Sequence, residues 1–229
     1  MLKKNTKKIN KKAAPVRSLL WIGAFLFLLS FVVFMPLYKV ARMSPNQHMQ
    51  EGLIALYENK YPKAKTHLLK AAQAQNAKAF FILGSMELEG QNENHKANPK
   101  EAAVYFERAA SLGMSDAQYT LALLYDRGEG VIHDKQKALN WGLLAAAQGD
   151  INAQYATAVW LERGYSGKPE PYLALNYYEI AAAQGHLNSI TSLISIYSGG
   201  TEIPANKKRA NYWKEQLKTL KNQETSSKQ

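Results

Sequence analysis

Cysteine occurs nowhere in the 229 residues. Its absence removes disulfide frameworks and thiolate metal sites together, leaves the redox compartment open, and means that an exported domain is held by its core alone. No Asn-x-Ser/Thr glycosylation acceptor is present either. The five histidines (His48, His67, His95, His133 and His186) are scattered, without His-x-x-x-His spacing or an HExxH motif, so no metal centre is expected. A Gly-x-Ser-x-Gly elbow and a Gly-Lys-Ser/Thr phosphate loop are missing. Gly167-Lys168-Pro169 does not qualify, because proline has no hydroxyl to offer a magnesium ion. Glu87 and Glu89 lie two apart on a helical stretch and so point different ways, which argues against a paired-carboxylate site. The chain is not read as an enzyme, and neither a cofactor nor a small-molecule substrate is expected.

Acidic side chains are missing from residues 1–42, where nine Lys or Arg stand. The formal net charge of +11 is concentrated there, and residues 43–229 carry 20 basic against 18 acidic side chains. A groove that follows a phosphate backbone needs a dense basic face. With no such excess, nucleic acid is not an expected partner.

Long apolar runs are missing too, with one exception. Leu19–Tyr38 reads LLWIGAFLFLLSFVVFMPLY and holds no charge. At about 1.5 Å per residue it spans the roughly 30 Å hydrocarbon core of a bilayer. Trp21 and Tyr38 suit the two interfaces, and the lysine-rich start keeps the N-terminus in the cytoplasm and residues 39–229 outside it. A cleaved signal peptide has a shorter apolar region, of about 7–15 residues, and a small-x-small site. Here Lys39 stands where a small residue is wanted before Ala41. The expectation is an uncleaved single-pass anchor: 1–17 a basic cytoplasmic tail, 18–38 a transmembrane helix, 39–46 a linker. The linker reaches less than ~30 Å, which keeps the following domain close to the outer membrane-water interface.

Against these absences stands a repeat. Ala-Ala-x-x-Gly closes at Gly113, Gly149 and Gly185. Alanine recurs at Ala102, Ala138, Ala174 and Ala210, each followed three residues later by Tyr105, Trp141, Tyr177 and Trp213. A period of 36 residues marks a stacked helical array. Within one period, apolar residues of Ala117–Tyr125 keep helical spacing until Gly128 and Gly130 interrupt them. Asp134 is placed as an N-cap, and Lys135–Ala147 form a second helix closed by Gly149. Two antiparallel helices with small residues at their contacts cannot bury that face alone, so stability comes from stacking.

These residues resemble the Sel-1-like repeat, a relative of the tetratricopeptide repeat. The unit Ala117–Gly149 carries the pattern best, in Ala117, Tyr119, Leu121, Tyr125, Gly128, Gly130, Val131, Asp134, Lys137, Ala138, Trp141, Ala145, Ala146 and Gly149, with Ala122 where the family prefers glycine. The neighbours drift. Glu87 replaces the tyrosine in Ala79–Gly113, and loop Gln91–Pro99 gains two residues. The unit Ala153–Gly185 loses the second glycine and the aspartate in its loop Tyr165–Pro171, and Ser189 replaces the leading alanine of the last unit. Gly52, Ala64, Leu68 and Ala71 have tetratricopeptide spacing, with a tight turn near Tyr61-Pro62. The fold class expected is all-α: an α/α solenoid over 47–220, of one tetratricopeptide-like and four Sel-1-like hairpins, preceded by one transmembrane helix. Lys214, Glu215, Lys218 and Lys221 suggest a solvated capping helix, and 221–229 a disordered tail.

The resemblance implies a surface that holds other proteins. By analogy with tetratricopeptide geometry, the concave side is lined by first-helix residues not needed for stacking: Phe81, Asp116, Tyr119, Asp126, Arg127, Asn152, Tyr155, Glu162 and Arg163. Asp126-Arg127 and Glu162-Arg163 repeat one acid-base pair a period apart. Either they form a charged ladder with Tyr119 and Tyr155 as anchors, or the pairs are solvated helix ends and the tyrosines fill core space. The sequence reading is an inner-membrane protein of a Gram-negative bacterium whose periplasmic array scaffolds a cell-envelope complex such as a secretion machine. The alternative is a regulator that binds a peptidoglycan enzyme or the cell-wall glycan.

Overall fold

The computed structural model describes residues 43–199 and 202–226. The expected basic tail, membrane helix and the first half of the linker (39–42) lie outside them. Among the described residues no helix is long and apolar enough to cross a membrane. The chain divides into two compact units, and the second, Pro45–Gln229, holds ten helices among its described residues. They pair as α1 (Pro45–Tyr57) with α2 (Tyr61–Gln73), α3 (Ala77–Leu88) with α4 (Pro99–Ser111), and α5 (Ser115–Arg127) with α6 (Lys135–Ala147). The last two hairpins are α7 (Ile151–Glu162) with α8 (Pro171–Ala183) and α9 (Leu187–Tyr197) with α10 (Lys207–Ser226). Each helix packs chiefly on its neighbours in sequence. The five-hairpin array is as the period requires.

The repeated motif has a direct physical reading. In Ala145-Ala146-Ala147-Gln148-Gly149 the two leading alanines are buried, which lets adjacent helices approach closely. Their carbonyls then accept the closing bonds of the helix. Asp150 N–H donates to Ala145 O at 3.2 Å and Gly149 N–H to Ala146 O at 3.0 Å, with Gly149 at φ +92°. The same pair of bonds closes α4 at Gly113 and α8 at Gly185. This is the left-handed helix terminus that glycine adopts without a Cβ penalty.

A second recurring bond fixes the loops. The backbone N–H of the residue capping each second helix donates to a carbonyl near the end of the first: Asn98 to Glu87 at 2.7 Å, Asp134 to Tyr125 at 3.0 Å, Glu170 to Leu161 at 3.0 Å and Asn206 to Tyr197 at 2.8 Å. The two-residue insertion in loop 89–98 is absorbed between those points. Asp134 caps α6 as expected, its carboxylate accepting from Lys137 N–H at 2.9 Å.

Side-chain amides tie successive hairpins. Buried Gln118 donates to Ala110 O at 3.2 Å and accepts from Gln148 at 2.7 Å. One period later Gln154 donates to Ala146 O at 3.3 Å and accepts from Gln184 at 2.7 Å. Helices α5 and α7 are thereby each pinned to the carboxyl end of the preceding hairpin by groups that leave no amide stranded.

Three boundaries differ from expectation. Helix α1 begins at Pro45 rather than 47, proline's fixed φ suiting a first helical position. The turn between α1 and α2 is centred on Asn59 (φ +57°), while Tyr61 and Pro62 already belong to α2. Helix α10 continues to Ser226 instead of giving way to a disordered tail at 221. Lys, Gln and Glu propagate a helix well, and no glycine or proline interrupts them before the end.

Candidate functional site

The first helices α5 and α7 repeat one face. Asp116, Thr120, Leu123 and Arg127 are spaced i, i+4, i+7 and i+11, and so are Asn152, Ala156, Val159 and Arg163. Leu123, Ala156 and Val159 are half-buried, resting against the core with one side open. Arg127 and Arg163 are exposed at one rim, Asp116 and Asn152 at the other. An apolar floor between polar rims is the surface an extended segment or a helix of another protein seats on.

Of the nine residues expected to bind, four are exposed on this face, Asp116, Arg127, Asn152 and Arg163, the last of them also bonded to the Tyr165 side chain. The other five hold the array together. Phe81 packs on Phe106, with centroids 5.5 Å apart. Tyr119 rests on Ala145, Ala146 and Ala153 beside Tyr177. Tyr155 lies 5.9 Å from the Tyr178 ring and 4.7 Å from His186. The tyrosines thus fill space between hairpins. Burial, with Asp150 nearby, pushes the Tyr119 phenol above its ordinary range.

The acids of the two pairs are also engaged. Asp126 accepts from the Tyr165 hydroxyl at 2.7 Å, joining α5 to the loop of the next hairpin. Glu162 accepts from the Tyr178 hydroxyl at 2.8 Å, within its own hairpin. Burial and then these carboxylates push both phenols up, with Arg163 opposing the effect at Tyr165. The acid-base ladder therefore presents its arginines outward while its acids are structural acceptors. An (i, i+1) pair on a helix points in two directions, which is why one motif serves both ends.

A second cluster escaped the sequence reading. Glu87 is only 3% exposed, and both its oxygens are taken. Lys65 Nζ donates to Oε1 at 2.7 Å, and Asn92 Nδ2 to Oε2 at 2.9 Å. Lys65 also reaches Glu101 at 3.0 Å, while Asn98 and Tyr105 donate to Glu101 at 3.1 and 3.3 Å. The two carboxylates hold the Lys65 ammonium above its ordinary pKa, against the opposing effect of burial. A cavity of about 650 Å³ opens beside them, lined also by Glu93, Asn94 and Lys96. With every oxygen of both carboxylates satisfied, the cluster braces loop 91–98 between the first two hairpins. The available signal was Glu87 itself, an acid in an interior-facing slot that requires a cation. Among the described residues no group of three His, Cys, Asp or Glu is placed to hold a metal ion.

The Sel1 repeat family pattern matches residues 77–114, 115–150, 151–186 and 195–216, more than half of the chain. Among solved structures, a Sel1 repeat protein from Oxalobacter formigenes is 26% identical with a TM-score of 0.62, over 77% of this chain and 73% of that one. The protective antigen c5321 of uropathogenic Escherichia coli strains, which displays an SLR fold, is 27% identical with a TM-score of 0.70. That alignment covers 77% of this chain and only 38% of the longer antigen. MamA, at 16% identity and a TM-score of 0.51, shares the fold alone. No curated protein matches in sequence. Hairpins in register, alanine contacts and left-handed glycine closures recur through the matched residues, and the chain belongs to the Sel1 repeat family, whose arrays serve as scaffolds for binding other proteins.

Proposed function

We propose that this chain is a single-pass inner-membrane protein of a Gram-negative bacterium whose periplasmic Sel1 array recruits or assembles a cell-envelope complex such as a secretion machine. The observation that carries the binding role is the face shared by α5 and α7, with its apolar floor of Leu123, Ala156 and Val159 and its exposed Arg127 and Arg163. The uncharged run Leu19–Tyr38 and the basic residues before it support the anchor and its orientation. Rim arginines set on-rate and register, while the apolar floor supplies most of the burial.

The test places photoreactive residues at Leu123, Arg127, Val159 and Arg163 of the full chain in cells. The expected result is one protein captured from positions in both hairpins, with capture at Leu123 and Val159 lost when Arg127→Glu and Arg163→Glu are combined. A further probe at Asn94 serves as the comparison, and capture from it alone refutes the assignment of the face. Retention by cell-wall sacculi without any protein captured transfers the function to glycan binding. A reporter after Gln229 that is active only in the cytoplasm refutes the topology.

A further inference from the structure

The outer side of α1 departs from the pattern of the later hairpins. One position before the carbonyl that accepts the loop bond (Glu87, Tyr125, Leu161 and Tyr197, with Ala55 accepting from Lys60 in α1), those hairpins bury a large apolar side chain: Met86 is 1% exposed, Leu124 3%, Trp160 2% and Ile196 5%. The corresponding residue of α1, Ile54, is 50% exposed. Leu53 and Tyr57 stand beside it at 39% and 91%, on the helix face opposite buried His48, Met49, Gly52 and Ala55. An interior-type position lies open because, among the described residues, no hairpin packs on this side of α1. Three large apolar side chains on adjoining turns of one helix are more than scattered surface exposure, and they need an occupant.

We propose that Leu53, Ile54 and Tyr57 seat α1 on the lipid bilayer, in the zone between headgroups and acyl chains. The inference rests on the anchor reading given above. The uncharged run ends at Tyr38, and only six residues separate it from Pro45, a reach of ~24 Å at about 3.4 Å per residue step. Leu53–Tyr57 then follow within ~18 Å along the helix, at about 1.5 Å per residue. The element that adjoins this face in sequence is therefore a membrane segment, where every later hairpin has another hairpin. Chemistry favours the interface: two aliphatic side chains enter the apolar zone while a tyrosine hydroxyl stays among the headgroups. The adjoining exposed surface is compatible with that position. Lys60 pairs with Glu58 at 2.9 Å and Lys63 with Glu51 at 3.5 Å, so no unpaired acid of these pairs has to approach anionic lipid. Such a contact fixes the array's first hairpin against the membrane in addition to the tether.

Because the native chain has no cysteine, one introduced thiol reports one position. The full chain carrying Gln50→Cys, next to the patch, is labelled with an environment-sensitive fluorophore. It is then reconstituted in vesicles of three parts phosphatidylcholine to one part phosphatidylglycerol that contain nitroxide-labelled lipid. A second sample carries Asn211→Cys, on exposed α10. Quenching at position 50 is expected to exceed that at 211 several-fold, and Leu53→Glu with Ile54→Glu is expected to bring it down to the level at 211. Both glutamates lie on exposed positions, and an unchanged circular dichroism spectrum establishes that the array is intact. Equal quenching at 50 and 211, or quenching at 50 that survives the glutamates, overturns the inference. So does disulfide crosslinking of two Gln50→Cys chains to each other in place of quenching, which assigns the patch to a second copy. Alkaline carbonate that strips the chain from the vesicles refutes the anchor, and with it this inference. A chain that stays inserted but unquenched refutes the inference alone.

Discussion

Alanine at position 130 separates two roles that glycine plays in the array. Gly130 has φ +74°, and a Cβ built on it would lie 2.1 Å from Pro99 O, 2.3 Å from Pro99 C and 2.8 Å from Lys100 N. Those atoms open α4, in the preceding hairpin, so the second glycine of the loop lets one hairpin's backbone touch the next. Gly149 is also left-handed, at φ +92°, but nothing lies within 4 Å of its Cβ position. Both substitutions force alanine into the left-handed region, which costs about 1–2 kcal/mol. Only Gly130→Ala adds an overlap with backbone that no rotamer can relieve. Displacing a packed helix start adds about 1–3 kcal/mol, the cost typical of overpacking. Gly149→Ala is thus expected to destabilise by ~1.5 kcal/mol and Gly130→Ala by ~3.5 kcal/mol. At roughly 2–4 °C per kcal/mol for a chain of this size, the second lowers Tm by about 7–14 °C against about 3–6 °C for the first. Thermal melts followed by circular dichroism measure the difference. Hydrogen exchange should locate the added loss at the start of α4 and in loop 128–134. Equal Tm shifts, or a loss confined to α6 and α7, would refute the reasoning, since the extra cost has no source besides the Pro99 contact.

Two other predictions concern buried polar groups. Gln118→Leu removes the bonds to Ala110 O and from Gln148, and is expected to cost ~1 kcal/mol in urea titrations. Pairing it with Gln148→Leu should cost at least ~0.5 kcal/mol less than the two single changes summed, and strict additivity would show that the amides do not act as a unit. His48 and His67 are both buried, with their Nδ1 atoms 3.1 Å apart. Burial, then the His48 ring and Lys63, depress the His67 pKa in the folded state, with Glu51 opposing. A depressed histidine contributes stability that is present above its unfolded pKa of ~6.5 and is lost as pH falls through the folded value. Exchange protection of α1 and α2 is therefore expected to drop between about pH 7.5 and 5 while α5–α8 hold steady. His67→Asn should flatten that dependence, and an unchanged slope in the variant would assign it elsewhere.

The sequence reveals those features that depend on one position at a time. Alanine at a helix contact, glycine at a left-handed closure and aspartate at an N-cap each act through their own backbone, so Ala145, Gly149 and Asp134 could be assigned from spacing alone. Most side-chain partnerships could not be, because partners such as Asp126 with Tyr165 and Glu162 with Tyr178 stand at separations that do not recur from hairpin to hairpin. Tyr119 and Tyr155 occupy the helix positions expected of anchors, yet their rings meet residues of the next helices. Asp126 and Arg127 read as one pair, and the hydroxyl that divides them comes from Tyr165 in the following hairpin.

The partnerships do leave a trace, in the way paired positions change together from hairpin to hairpin. In the slot near the end of the first helix stand Glu87, Tyr125, Leu161 and Tyr197, and near the start of the second stand Glu101, Lys137, Leu173 and Arg209. Lys137 lies over the Tyr125 ring at 5.0 Å, and Arg209 over the Tyr197 ring at 5.2 Å. Where the ring is replaced by Glu87, the cation on the second helix is replaced by Glu101, and Lys65 arrives from the preceding hairpin to bridge the two. The hairpin of α7 and α8 carries leucine at both places. The amide ties behave alike: Gln118 with Gln148 and Gln154 with Gln184 correspond to Phe80 and Leu112 in the earlier hairpin. Each exchange keeps the two positions matched, cation with ring, leucine with leucine or amide with amide, and the two acids are matched through Lys65. Arg127 and Arg163 break that rule. They recur one period apart, remain exposed, and have lost their acids to Tyr165 and Tyr178. Neither arginine forms an ion pair among the described residues, so each keeps an exposed charge that a partner's carboxylate can meet, and this favours α5 and α7 as the candidate binding face over the braced cavity at Glu87.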